Sequence, residues 1–309
     1  MSEIKIGVVT DSHMGGFDSR IAEALKREEL DGIEYLGDAP SNMHAPPQKH
    51  FDDITATLKI YDKVGVPVSW IPGNYEDFVA YHAAFSQLED KLDNVVDATR
   101  QGKYTLKLNG IEVDLVWVPG STEDVSRGFH VRNDLGPTAD YSKGKSHIHV
   151  YNPNDLRELV TRPDRTILLC HNPPQMSADN TFDVALRAIY RGNKIIGPIV
   201  GELVKAYRGE ITPTGKVKEL FDGRAQLVRE HAGNPVLSGL VDELGIQKVL
   251  AGDIHDAVYT TDRQGRSIPP GTFSRELFGN PGPAKDGRYG VLVYRDDGMA
   301  TLFSKSVKG

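Results

Sequence analysis

Short apolar, β-branched runs recur along the chain, and most are cut off by a polar or glycine-bearing turn. Ile4–Val9, Ile33–Leu36, Pro67–Ile71, Thr166–Cys170 and Lys248–Ala251 read as buried strands. Between the early ones the period lengthens. Arg20–Glu29, Phe51–Lys63 and Asp77–Leu92 read as helices, the last opening on an acidic turn that suits the positive end of the helix dipole. Pro235–Leu244 reads as a further helix. Two hairpins are predicted: Tyr104–Leu108 with Val113–Val118 across Asn109-Gly110, and Tyr289–Tyr294 with Ala300–Ser304 across Asp296-Asp297-Gly298. Two stretches break this rhythm. Ser121–Pro163 reads as irregular, apart from an exposed strand at His147-Ile148-His149-Val150-Tyr151. Phe182–Arg208 and Val217–His231 read as helices split by a turn at Ile211–Gly215. Alternation of strand and helix predicts layered α/β packing. The whole chain, 1–309, reads as one domain with two insertions, about 121–163 and 175–234, the second suited to form a cap.

Composition narrows the class. A chain of 309 residues can bury a core without staples. Lys plus Arg number 36 against 43 Asp plus Glu, a formal charge of -7, which excludes a globally basic nucleic-acid coat. Cys170 is the sole cysteine, so neither a disulfide framework nor a cysteine-cluster metal site is available. No apolar stretch approaches the ~20 residues a membrane helix needs, and the first apolar run stops at Val9, so a cytoplasmic protein is expected.

The chemistry gathers where strands stop. Five predicted strands end in Asp11-Ser12-His13, Gly37-Asp38, Gly73-Asn74, Cys170-His171 and Gly252-Asp253-Ile254-His255. In open α/β sheets, ligands bind just beyond the carboxyl ends of the strands. Asp, Asn and His form an oxygen and nitrogen ligand set suited to Mn, Fe or Zn. Each fragment alone reads more simply as a turn, a cap or a hydrogen-bonded histidine; the ordered set of five is far more specific.

That set resembles the calcineurin-like metallophosphoesterase superfamily, whose pattern runs D-x-H, G-D, G-N-H-[ED], H and G-H-x-H, each after a strand. The resemblance spans Ile4 to Phe303 outside the two insertions and takes in Asn280-Pro281-Gly282. It implies a four-layer αββα sandwich of two mostly mixed sheets flanked by helices, with two metal ions at one edge. By this resemblance Asp11, His13 and His255 hold the first ion, Asp38 bridges, and Asn74 and His171 hold the second. It further implies that a hydroxide bridging two cations about 3.5–4 Å apart attacks phosphorus in line. Asn74, Tyr75 and His171 are the candidate catalytic groups.

The chain departs from the pattern twice. Tyr75 stands where the family has a histidine that protonates the leaving group. A phenol with a pKa near 10 is a poor acid at neutral pH, and Tyr75 reads equally as a ring packed over the site. His44 and His50 are candidate substitutes, or else solvated loop histidines. Asp253 stands where the family has a metal-binding histidine. Three carboxylates and a hydroxide would balance two divalent cations, which favours Mn or Fe, with Zn, Ni and Mg as further options; otherwise Asp253 caps or salt-bridges.

Absences matter too. Gly37-Asp38-Ala39-Pro40 lacks the G-D-x-V-D-R-G run of the Ser/Thr protein phosphatases, and no dinucleotide fingerprint, P-loop or nucleophile elbow occurs. Segment 175–234 carries nine Lys or Arg against seven Asp or Glu. Arg187, Arg191, Lys194, Lys205 and Arg208 there, interleaved with Tyr190 and Tyr207, either draw phosphate toward the metals or line a solvated helical face. Arg127, His130, Arg132, His147 and His149 mark the first insertion. The expected activity is a dinuclear phosphoesterase acting on phosphodiesters or phosphoanhydrides of nucleotide type. A phosphomonoesterase and a catalytically weak scaffold on the same fold are the alternatives. The expected partner is a small phosphate ester or nucleotide; nucleic acid is less favoured, and no membrane association is expected.

Overall fold

The computed structural model describes residues 2–122, 128–143, 146–179, 181–195, 198–207 and 209–308. The first half of the chain forms β1 (Glu3–Val9), α1 (Asp18–Leu25), β2 (Gly32–Tyr35), α2 (Pro47–Asp62), β3 (Val68–Trp70), α3 (Phe78–Leu88), β4 (Val95–Asp97), β5 (Lys103–Leu108) and β6 (Ile111–Val118). Next come β7 (Gly128–Val131), β8 (Ala139–Lys143), β9 (Ser146–Tyr151), α4 (Leu156–Leu159) and β10 (Thr166–Cys170). The rest comprises β11 (Val184–Tyr190), β12 (Asn193–Ile195), α5 (Pro198–Tyr207), α6 (Gly215–Asp222), β13 (Gln226–His231), α7 (Pro235–Leu244), β14 (Lys248–Ala251), β15 (Thr260–Thr261), β16 (Leu277–Gly279), β17 (Arg288–Arg295) and β18 (Ala300–Ser306).

Two six-stranded sheets form the frame, in the orders β18-β17-β1-β2-β3-β4 and β15-β16-β14-β10-β6-β5. Both are mixed. β1 to β4 run parallel and the β17–β18 hairpin closes one edge antiparallel. β6, β10, β14 and β16 run parallel, with β5 and β15 antiparallel at the edges. The sheets pack face to face through Ile4, Ile6, Val8, Leu36 and Ile71 from one and Val113, Leu115, Ile167, Leu169 and Leu250 from the other. Each such side chain adds roughly 1.5–3 kcal/mol by leaving water. The outer face of the first sheet carries α1, α2 and α3 through Ile21, Leu25, Ile54, Leu58, Tyr81 and Phe85. The outer face of the second carries α4 and α7 through Leu156, Leu237, Leu240 and Val241. This is the expected αββα sandwich.

The departures lie in the two irregular stretches. The first is not a loop but a small sheet, β7-β9-β8, with the predicted strand at 147–151 in its middle. Arg127 lies outside the described residues. The second is not a helical pair: its ends form an antiparallel sheet, β12-β11-β13, and only α5 and α6 between them are helical. Arg187, Arg191 and Lys194 therefore sit on strands or their turn, and Arg208 lies outside the described residues. Ala188, Val200, Leu203, Leu220 and Ala225 give this segment a core of its own. Among the described residues no helix is long and apolar enough to cross a membrane.

Candidate metal centre

Parallel strands deliver their carboxyl ends to one edge, and five of those ends meet. Asp11 and His13 follow β1, Asp38 follows β2, Asn74 follows β3, His171 follows β10, and Asp253 and His255 follow β14. His171, from the second sheet, reaches across to the first: its Nδ1 lies 2.7 Å from the Leu36 carbonyl oxygen. Its Nε2 lies 3.4 Å from Asp38 Oδ1, 2.9 Å from Asn74 Oδ1 and 3.9 Å from Asp253 Oδ1. His13 Nε2 lies 3.7 Å from Asp38 Oδ2 and 3.2 Å from His255 Nε2, and the latter lies 3.3 Å from Asp11 Oδ1. All seven predicted ligands thus converge.

Backbone conformation concentrates here. Asp11, His13, Asp38 and Asp253 all have positive φ, at 54°, 43°, 62° and 63°. Left-handed geometry is uncommon for residues with a Cβ, and clusters of it mark sites held together by their surroundings. Two glycines make the approach of loops feasible. A Cβ on Gly73 would fall 2.6 Å from His171 Cε1 and onto the Asp38 carboxylate, and one on Gly252 would overlap Thr10 Oγ1.

The groups fit cations. His171 Nδ1 and His13 Nδ1 face the carbonyls of Leu36 and Pro40, at 2.7 and 3.2 Å, so each donates there and turns its Nε2 lone pair inward. With both rings neutral those lone pairs face carboxylate oxygens, acceptor against acceptor, which a cation would satisfy; without one, a proton on His171 Nε2 directed at Asp38 takes its place. The Asn74 amide has two orientations: oxygen inward adds another acceptor, whereas the turned amide donates to Asp38 Oδ2 at 3.1 Å. Two groups of side chains could each hold an ion: Asp11, His13 and His255, and Asp11, Asp38 and His171. Asp11 is common to both, although Asp38 also adjoins both His13 and His171. Lys285 Nζ, a donor only, lies 2.6 Å from His255 Nδ1, so ligation through His255 Nε2 requires that ammonium to be displaced.

Electrostatics follow from burial and proximity. Burial alone would raise the Asp11 carboxyl, yet the hydrogen bond and charge of His255, with His171 and His13, hold it well below the usual range. For Asp38 burial is likewise outweighed, chiefly by His171. Burial would lower His171, but Asp38 raises it well above the ordinary imidazole value. His13 is lowered, because burial outweighs its carboxylate neighbours.

Further side chains outside the predicted ligands take part. Glu76, fully buried, accepts the backbone N–H groups of Gly73 (2.8 Å), Ala39 (2.9 Å) and Asp38 (3.1 Å), tying two of the ligand loops together. Asn172 and Ser121 donate to Asp253 Oδ2 at 2.7 and 3.3 Å, leaving Oδ1 toward His171. Thr10 donates to Asp11 at 2.6 Å. The Tyr75 ring packs edge-on against His13, centroids 4.5 Å apart. His50 is not a loop histidine: it lies on α2, buried, and its Nδ1 accepts the Asp77 N–H at 3.1 Å. His44 is exposed in the loop before α2. His149 pairs with Asp140 at 2.7 Å, and neither it nor His147 belongs to an ion-holding group among the described residues.

Fold and site together define a class: a two-sheet α/β sandwich with a carboxylate and imidazole cluster, able to hold metal ions, at the carboxyl edge of both sheets. No protein-family model matches the chain, and no curated protein does. Solved structures do. One crystal structure superposes over 99% of both chains with a TM-score of 0.58 at 11% identity. The Thermus thermophilus protein TT1561 superposes over 99% of this chain and 100% of its own, with a TM-score of 0.53 at 13% identity. What is shared at such identities is the fold. A Streptococcus pneumoniae TIGR4 protein described as a predicted phosphoesterase aligns over 99% of both chains at 11% identity, but its TM-score of 0.30 is too low to bear on this chain.

Proposed function

We propose that this chain is a dinuclear metal-dependent phosphoesterase of the calcineurin-like superfamily, hydrolysing phosphodiesters or phosphoanhydrides of nucleotide type. The observation that carries this reading is the meeting of Asp11, His13, Asp38, Asn74, His171, Asp253 and His255 at one edge, with carboxylate oxygens set against the Nε2 atoms of three imidazoles. Asp11, His13 and His255 would hold one ion, Asn74, His171 and Asp253 the other, with Asp38 between them. When bound, two divalent cations supply charge stabilisation at the phosphoryl group and a water of lowered pKa.

The protein's own residues do the rest. The carbonyls of Leu36 and Pro40 select the imidazole tautomers, and Glu76 keeps the loops of Asp38 and Asn74 in register. Tyr75 covers one side of His13 with a ring whose hydroxyl is a weak acid at neutral pH. We assign no proton-donor role to His50, which is buried on α2 with its Nδ1 accepting the Asp77 N–H. Substrates whose leaving groups need little protonation are therefore favoured.

Elemental analysis after anaerobic purification, with turnover of bis(p-nitrophenyl) phosphate and of an alkyl monoester in added Mn, tests this. About two metals per chain and a preference for the diester are expected, with Asp38→Asn losing metal and about 100-fold or more in kcat/KM. A native protein without metal or hydrolysis would make the fold a binding scaffold instead. A preference for the alkyl monoester would reverse the substrate assignment.

A further inference from the structure

The small sheet β12-β11-β13 is rooted beside the metal cluster. Ala185, near the start of β11, and Ala232, just past β13, pack with Ile254, Ala257 and Tyr259. Ile254 separates Asp253 from His255. Side chains alternate across a strand, so Ala185, Arg187 and Ile189 share one face of β11, and register places Glu230, Val228 and Gln226 opposite them. The other face, with Leu186, Ala188 and Tyr190, packs on α5 and α6. The face carrying Arg187 is therefore the one directed at the 253–259 loop. Arg187 stands two positions beyond Ala185, about 7 Å along the strand.

This arginine is built in but poorly satisfied. Its side chain is only 16% exposed. Nη1 lies 3.5 Å from the Leu186 carbonyl, Nε lies 3.9 Å from Glu230 Oε2, and Nε has no hydrogen-bond partner. Glu230 is already engaged by Lys194 Nζ at 2.6 Å. A largely buried guanidinium with its Nε–H unmade and only one long bond at Nη1 is costly unless an anion completes it, and its planar fork matches phosphate. The three carboxylates of the cluster meanwhile offset most of the charge that two divalent cations bring, so an anionic substrate must find further positive charge nearby.

We propose that Arg187 binds a second, non-scissile phosphate of the substrate, so that the site selects phosphoanhydrides over esters with a single phosphate. The proposal rests on the phosphoesterase reading above. Its test pairs wild type with Arg187→Gln and Arg187→Lys, all Mn-loaded and checked for equal metal content and melting temperature. The Kd for inorganic pyrophosphate is measured by calorimetry, and kcat/KM is measured for a dinucleoside diphosphate and for bis(p-nitrophenyl) phosphate. Arg187→Gln should weaken pyrophosphate about tenfold or more and lower the diphosphate-to-monophosphate selectivity by a similar factor, with Arg187→Lys recovering part of it. Unchanged pyrophosphate affinity in Arg187→Gln, or an equal loss on both ester substrates, overturns the proposal. If wild type hydrolyses neither substrate yet binds pyrophosphate through Arg187, the phosphoesterase reading fails and the anion site stands. If wild type hydrolyses both and Arg187→Gln matches it throughout, only the anion site fails.

Discussion

At the scale of single residues, the site is a collection of side chains on turns that the backbone would not adopt unaided. Asp11, His13, Asp38 and Asp253 hold left-handed φ values because neighbouring strand ends bond to them: Asp11 N–H donates to the Gly37 carbonyl, His13 N–H to the Asp38 carbonyl, and Asp253 N–H to the Asp11 carboxylate. Gly73 makes the closest approach to the ligand side chains, where a Cβ would fall onto Asp38 Oδ1. Gly73→Ala should fold but push Asp38 and His171 apart, lowering metal occupancy by about half or more by elemental analysis, with a melting temperature near that of wild type; full occupancy would show that the loops can yield. The seven side chains that gather at this edge were legible because each stands beside a strand end that the local pattern marks. Asn172 and Lys285 were not, since their partners lie far off in sequence: Asn172 meets Asp253 across 81 positions and Lys285 meets His255 across 30, and although Glu76 fills the acidic place of the family pattern, its bond to Ala39 across 37 positions is not part of that pattern.

At the scale of elements, agreement is closest where a strand is buried on both faces. Thr166–Cys170, Lys248–Ala251 and Pro235–Leu244 have the predicted bounds. The second irregular stretch departs from its helical reading because Val184–Tyr190 carries apolar residues on both faces, with Arg187 the one charge: Leu186, Ala188 and Tyr190 meet helices while Ala185 meets the 254–259 loop. No clean alternation is then visible, and a run with Ala and Leu reads as helical. This segment's core is separate from those of the frame, so it should open first. Leu203→Ala, emptying a fully buried position on α5, should cost about 2–5 kcal/mol locally. Limited proteolysis should then cut within 186–227 much faster than in wild type while the remaining fragments stay folded; cleavage spread over the frame would mean that the two cores unfold together.

At the scale of the whole molecule, the two sheets are joined by a buried polar contact between strand side chains as well as by apolar packing. Trp117 Nε1 on β6 donates to Glu34 Oε2 on β2 at 2.7 Å. Burial pushes the Glu34 carboxyl up to about 8, against the opposing hydrogen bonds of Trp117 and Ser69. Between the ordinary carboxyl value near 4.5 and about 8, the folded chain binds more protons at Glu34 than the unfolded chain, so this residue weakens the fold progressively as pH climbs through that window. Glu34→Gln should remove that slope. Urea midpoints at pH 5 and 8 should show wild type losing a few kcal/mol relative to Glu34→Gln, on the order of 1.4 kcal/mol per pH unit; parallel profiles would place the ionisation elsewhere. The chain order alone determined layered α/β packing and the donor residues at its strand ends, because burial, period and turn chemistry are local properties, and the resemblance those donors carry supplied the αββα arrangement. The distances at which the donors meet, that Asp11 is common to both ion-holding groups, and that a small sheet packs Ala185 and Ala232 against the 254–259 loop were decided only in three dimensions. Those distances depend on strand order and on how one sheet is set against the other, and no local pattern encodes either.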